Sequence, residues 1–169
     1  MKRGEKVIYS TLGMVVLLFF GLNLKNSFIE KNKDPGIPYY STASKDLSEK
    51  GAVLINRENC RECHSLWTLK DLMRGGLPAP ALDGIGSIRT EDWLYTYFSA
   101  KNPQSILQSR LKKEYRMPSY SNLPENERKT LASFLASLKV EDWYLEETKK
   151  AEYEKLTGKA YPDDESTGE

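Results

Sequence analysis

The chain has 169 residues, 39% of them hydrophobic and 29% charged, with a formal net charge of +1. That length suits one modest globular domain with appendages rather than two full domains. A near-neutral chain with no Gly-rich phosphate loop and no basic-aromatic array gives no ground for nucleic-acid binding, and its only two cysteines, Cys60 and Cys63, cannot form a disulfide scaffold.

From the N-terminus, residues 7–24, "VIYSTLGMVVLLFFGLNL", carry no charge. As a helix they would span about 27 Å, close to the hydrocarbon core of a bilayer. No A-x-A pattern follows to mark a cleavage site, and no cysteine stands nearby to take a lipid, so the segment is expected to be a retained membrane anchor rather than a cleaved signal. A buried helix of a soluble core is disfavoured because the run makes no solvent face. Lys2, Arg3 and Lys6 precede it and Lys25, Lys31 and Lys33 follow, so charge alone does not orient it.

Residues 25–43 are polar, contain Pro35, Gly36 and Pro38, and show no period, which reads as a linker. A folded domain is expected over residues 44–140. Leu47, Gly51, Leu54 and Ile55 line one face of a helix that ends just before the cysteines. Thr90, Glu91 and Asp92 open a helix over "WLYTYFSA", and Asn102-Pro103 opens another over "QSILQSRL". Pro124, Glu125 and Glu127 start a last helix with Leu131, Phe134, Leu135 and Leu138 on one face. No run alternates with period two, so the fold class is expected to be all-α. Residues 141–169 hold ten acidic side chains against four lysines, whereas residues 44–140 hold fifteen basic and eleven acidic. The segment "EDWYLEETKKAEYEKLT" is expected to continue the last helix to a cap at Gly158, ahead of an acidic tail. It reads either as a solvated extension or as a docking element carrying Trp143, Tyr144 and Tyr153.

The stretch "CRECH" carries the chemistry. A dithiol redox pair would be expected near a βαβ pattern, which is absent. A structural zinc site needs four protein ligands, and the chain has no other cysteine or histidine. Covalent haem attachment uses all three side chains: the thiols of Cys60 and Cys63 add to two vinyl groups, and the imidazole of His64 reaches the iron. One covalent haem c is therefore expected. Because His64 is the only histidine, the sixth iron position is methionine, a weaker ligand, water or empty. Met1 and Met14 lie in the anchor region, and Met73 is only nine residues past His64, whereas Met117 is 53 residues past it, enough chain to pass round a haem edge.

On "CRECH", "GAVLINRENCRECH", "APALDGIG" and "YRMPSY", the sequence over about residues 47–139 resembles the class I, mitochondrial-type cytochromes c, in a membrane-anchored bacterial form. The resemblance implies the cytochrome c fold around one haem, with Gly51 under Phe134 where the first and last helices cross. It implies that the Pro80 carbonyl accepts the second N–H of His64 and that Met117 is the second axial ligand. Ala79 stands where the family often has glycine. Trp67, Trp93, Tyr95, Tyr97 and Tyr120 are candidates for the haem wall or the propionates. Family members acquire haem outside the cytoplasmic membrane, which implies residues 1–6 inside and the haem domain on the periplasmic or outer face.

The expected function is that of an electron carrier, not an enzyme. Its partners would be the lipid bilayer and respiratory or photosynthetic membrane complexes, with a quinol-oxidising complex as donor and a terminal oxidase or reductase as acceptor. A fixed subunit of one such complex, and a haem enzyme or sensor with an open sixth position, stay open. Arg110, Lys112, Lys113 and Arg116, just before Met117, are placed to add an electrostatic component to docking.

Overall fold

The computed structural model describes residues 4, 9, 11–21, 36–69 and 79–162. The chain divides into two units, Met1–Ile37 and Pro38–Glu169. In the first, residues 11–21 are helical (α1), with Leu12, Leu17 and Leu18 exposed. Among the described residues no helix is long and apolar enough to cross a membrane. The expected span 7–24 reaches beyond the described residues at both ends, and most of the expected linker and Met73 lie outside them.

The second unit runs β1 (Tyr39–Ser41), α2 (Lys45–Arg57), α3 (Ile85–Ile88), α4 (Glu91–Ser99), α5 (Glu125–Ala136), β2 (Leu138–Val140) and α6 (Leu145–Thr157). The helix starts are set locally. Ser44 Oγ accepts from the Leu47 N–H at 3.2 Å and Thr90 Oγ1 from the Trp93 N–H at 3.2 Å, with acidic side chains in the first turns of α2, α4 and α5. The helices α2 and α4 pack on α5, and Ile55, Leu131, Phe134 and Leu138 are the largest fully buried side chains among the described residues. At Gly51 the α2 backbone lies directly under Phe134: a Cβ there would stand 2.6 Å from ring carbon Cδ1. At Gly86 a Cβ would overlap the carbonyl of Ala136, so α3 sits against the α5 end with no room for any side chain.

Three expectations need correction. The all-α class is incomplete: β1 and β2 form an antiparallel ribbon that pairs Tyr39 with Val140, Tyr40 with Lys139 and Ser41 with Leu138. Three residues are too few to show an alternating pattern. The strand β2 is held from the side, where Val140 N–H donates to Ser87 Oγ at 3.1 Å and Lys139 Nζ to the Gly86 carbonyl at 2.6 Å. The last helix therefore stops at Ala136 instead of running on through residue 141, and α6 is a separate helix. Gly158, at φ 70°, caps α6 in the left-handed conformation, at the position indicated by the sequence. Finally, "QSILQSRL" is not a helix. Only the single turn Pro103–Ser105 forms, where Asn102 Oδ1 accepts from Gln104 N–H at 3.2 Å and Ser105 Oγ donates to the Asn102 carbonyl at 2.7 Å. Short polar side chains satisfy the backbone there before a helical ladder can.

Candidate functional site

The site begins where α2 ends. Asn59 adopts the left-handed conformation, φ 55°, and sends the chain into a tight turn over Cys60–Glu62. His64 N–H donates to the Cys60 carbonyl at 3.0 Å and Cys63 N–H to the same oxygen at 3.3 Å, so both thiols and the imidazole leave one compact turn. Cys60 is half-buried and Cys63 exposed.

His64 Nδ1 lies 2.7 Å from the Pro80 carbonyl oxygen. A carbonyl only accepts, so Nδ1 carries the proton and Nε2 keeps its lone pair for a metal. Burial holds the imidazole below its ordinary titration range, against an opposing pull from the Pro80 carbonyl, which keeps it neutral near pH 7. The Pro80 segment is itself fastened to the chain after His64. Leu82 N–H donates to the Ser65 carbonyl at 2.9 Å, and the buried Asp83 carboxylate accepts from Trp67 N–H at 2.6 Å, Thr68 N–H at 2.8 Å and the Thr68 hydroxyl. Asp83 was not singled out from the sequence, because its partners are known only once the chain folds back.

Cys60, Cys63, His64, Pro80 and Met117 all line one cavity of about 440 Å³, walled by apolar side chains of α4 and α5 such as Leu94, Phe98 and Leu131. That volume lies within the roughly 300–1,000 Å³ of small-molecule and cofactor sites. Trp93, Tyr97 and Tyr120 also line it, the first two stacked at 5.2 Å, whereas Trp67 and Tyr95 do not. Gln104 Nε2 donates to the Met117 carbonyl at 3.3 Å, and its buried Oε1 has no protein partner. Burial pushes the Cys60 thiol up to about 11, partly offset by a hydrogen bond from Tyr120, whose hydroxyl is also held well above its ordinary range. Such a sulfur stays protonated at neutral pH, which is unlike a dithiol redox catalyst.

Among the described residues no three His, Cys, Asp or Glu side chains gather to hold a bare ion. The cavity offers two thiols, one imidazole and one thioether on apolar walls, a donor set suited to an iron whose remaining ligands come from a macrocycle. One wall of the cavity was not expected. Glu152, Lys155 and Leu156 of α6 line the same cavity. Arg89 Nη2 stands 3.2 Å from Glu152 Oε1, and Arg110 Nε donates to the Lys155 carbonyl at 3.1 Å, so the C-terminal helix is held against the domain by two basic side chains.

Against known families, residues 48–139, more than half of the chain, match the Cytochrome c family. No curated protein and no solved structure matches the chain. The matched segment stops inside β2 and leaves α6 outside it.

Proposed function

Because the chain belongs to the cytochrome c family, we propose that it is a membrane-tethered one-electron carrier whose iron is held between His64 and Met117. Haem c is the cofactor, attached through Cys60 and Cys63, and it supplies an iron that changes charge by one and a conjugated edge through which the electron passes. The observation that supports His64 as a ligand is the 2.7 Å contact of its Nδ1 with the Pro80 carbonyl, which leaves the Nε2 lone pair available to the iron. Met117 supplies the soft thioether, and Gln104 holds its backbone. The apolar walls exclude water and so disfavour the oxidised site's extra positive charge, which together with the thioether raises the potential. With His64 and Met117 both bound to it, the iron would have no place left for a substrate.

The tether rests on the uncharged run 7–24 and on the exposed leucines of α1. It would keep the domain on the outer face of the cytoplasmic membrane, between a quinol-oxidising donor and a terminal oxidase or reductase. The experiment is a spectrum of the matured protein. A low-spin ferric haem with a methionine-to-iron charge-transfer band supports the carrier. A high-spin haem that binds carbon monoxide readily overturns it in favour of an enzyme or sensor. Recovery of the protein in the detergent-soluble membrane fraction checks the tether.

A further inference from the structure

The carboxylate of Glu152 is a charge whose position the carrier reading does not require. It belongs to α6, outside the family-matched segment, yet it lines the cavity; its side chain is only 12% exposed. Among the described residues its only ion-pair partner is Arg89, one Nη2 of which reaches both carboxylate oxygens, at 3.2 and 3.3 Å. Arg89 is itself shared, lying 5.0 Å over the Trp93 ring and donating to the Ile88 carbonyl at 3.3 Å. Cys60, Cys63, His64, Tyr97 and Tyr120 share the cavity, where burial holds both phenols above their ordinary range, and the remaining charged and titratable wall groups are occupied or solvated. Asp83 is bonded to Trp67 and Thr68, Glu58 to Arg57, and Glu62, Glu114, Tyr115, Arg116 and Lys155 are exposed. Tyr39 of β1 is pushed above the ordinary phenol range by burial.

We propose that Glu152 is a proton-binding site coupled to the haem, so that electron uptake draws a fraction of a proton onto this carboxylate across its titration range. The proposal rests on haem c occupying this cavity. When the iron is ferric, its positive charge favours the ionised carboxylate. When an electron arrives from the donor, that attraction is lost, and the carboxylate takes a proton from water to become a neutral acid. Oxidation returns the electron to the acceptor and the proton to water, so charge balances in both directions. Burial already lifts Glu152 above the usual carboxylate range, with Arg89 opposing, which brings this exchange toward physiological pH. The potential should therefore fall as pH rises through the Glu152 titration, because ionisation stabilises the ferric form.

The test is the reduction potential of the full-length holoprotein between about pH 4 and about pH 8, a window that brackets a raised carboxylate. The parent is expected to show a falling potential. Glu152→Gln should flatten it and, at the alkaline end, favour the ferrous form about tenfold more than the parent does, equivalent to about 59 mV for one electron. Glu152→Asp should restore the slope. Reduced-minus-oxidised infrared spectra of the parent should show a carboxylic-acid carbonyl band on reduction, which Glu152→Gln lacks. A parent potential independent of pH, or a slope that persists in Glu152→Gln, overturns the proposal and leaves the carrier reading intact. Should Glu152→Gln fail to mature, proton uptake on reducing the unbuffered parent decides: no uptake overturns the coupling. If the parent is not low-spin, the carrier reading has failed independently.

Discussion

In the proposed ligation, the thioether of Met117 and the imidazole of His64 are single side chains whose replacement would read out at the iron. Met117→Ala should keep the covalent haem, since Cys60, Cys63 and His64 are untouched, yet gain carbon monoxide binding and lose potential; a titration with carbon monoxide and a redox titration check both. Met73→Ala should change neither. The depressed His64 titration has a consequence in the haem-free protein. Its folded-state value lies below the unfolded value of 6.5, so the unfolded chain binds the extra proton first, and stability should decline as pH falls through about 6.5 and below. Thermal melts of haem-free protein at about pH 7.5 and about pH 5 measure it, and the holoprotein should respond less, because iron occupies the nitrogen the proton would take. At this scale the haem-attachment motif was legible, because C-x-x-C-H writes two thiols and an imidazole into five consecutive positions. Asp83, Gln104 and Glu152 were not legible. Their partners lie 15 and 16, 13 and 63 residues away, and nothing local distinguishes such a carboxylate or amide from a solvated one.

Two glycines carry the helix crossings, and they should respond differently from ordinary surface positions. Gly51→Ala sets a methyl against the buried Phe134 ring and should destabilise by about 1–3 kcal/mol, the usual cost of overpacking. Gly86→Ala should cost at least as much, because the obstacle is the Ala136 backbone carbonyl, which has no rotamer to escape into. Denaturant midpoints of the two variants test this order. The helices α2, α4 and α5 were readable because each start has a local signature, Ser44, Thr90 or Pro124 with the acidic residues after it. The ribbon β1–β2 and the single turn at Pro103 were not. The ribbon depends on a pairing across about a hundred residues, and the turn on side-chain bonds that compete with the helical pattern.

For the molecule as a whole, the boundary of the folded unit moves toward the N-terminus, because β1 belongs to the packed domain. A chain that begins at Gly36, exported with a cleavable signal, should be water-soluble and retain the full-length spectrum. One that begins at Ser44 should keep its haem but melt at a lower temperature, having lost the ribbon and the Thr42 N–H to Ser137 carbonyl bond of 2.9 Å. The run 7–24 was legible as uncharged, although among the described residues no helix is long and apolar enough to cross a membrane. The place of the C-terminal helix was not, since its acidic composition suits open solvent as well as it suits a cavity wall. The ribbon also joins the point where the chain enters the domain to the point where it leaves the family-matched segment, with the Pro38 carbonyl accepting from Glu141 N–H at 2.8 Å. Any tension delivered through the residues before Pro38 therefore reaches this short zipper before it reaches the packed helices around the cavity. Three residues of ribbon hold about 10 Å of stored contour length. Drawn out in an optical trap, they should yield as a small extension step at low force, with the haem absorbance unchanged: slack released ahead of the domain while the haem cavity stays shut.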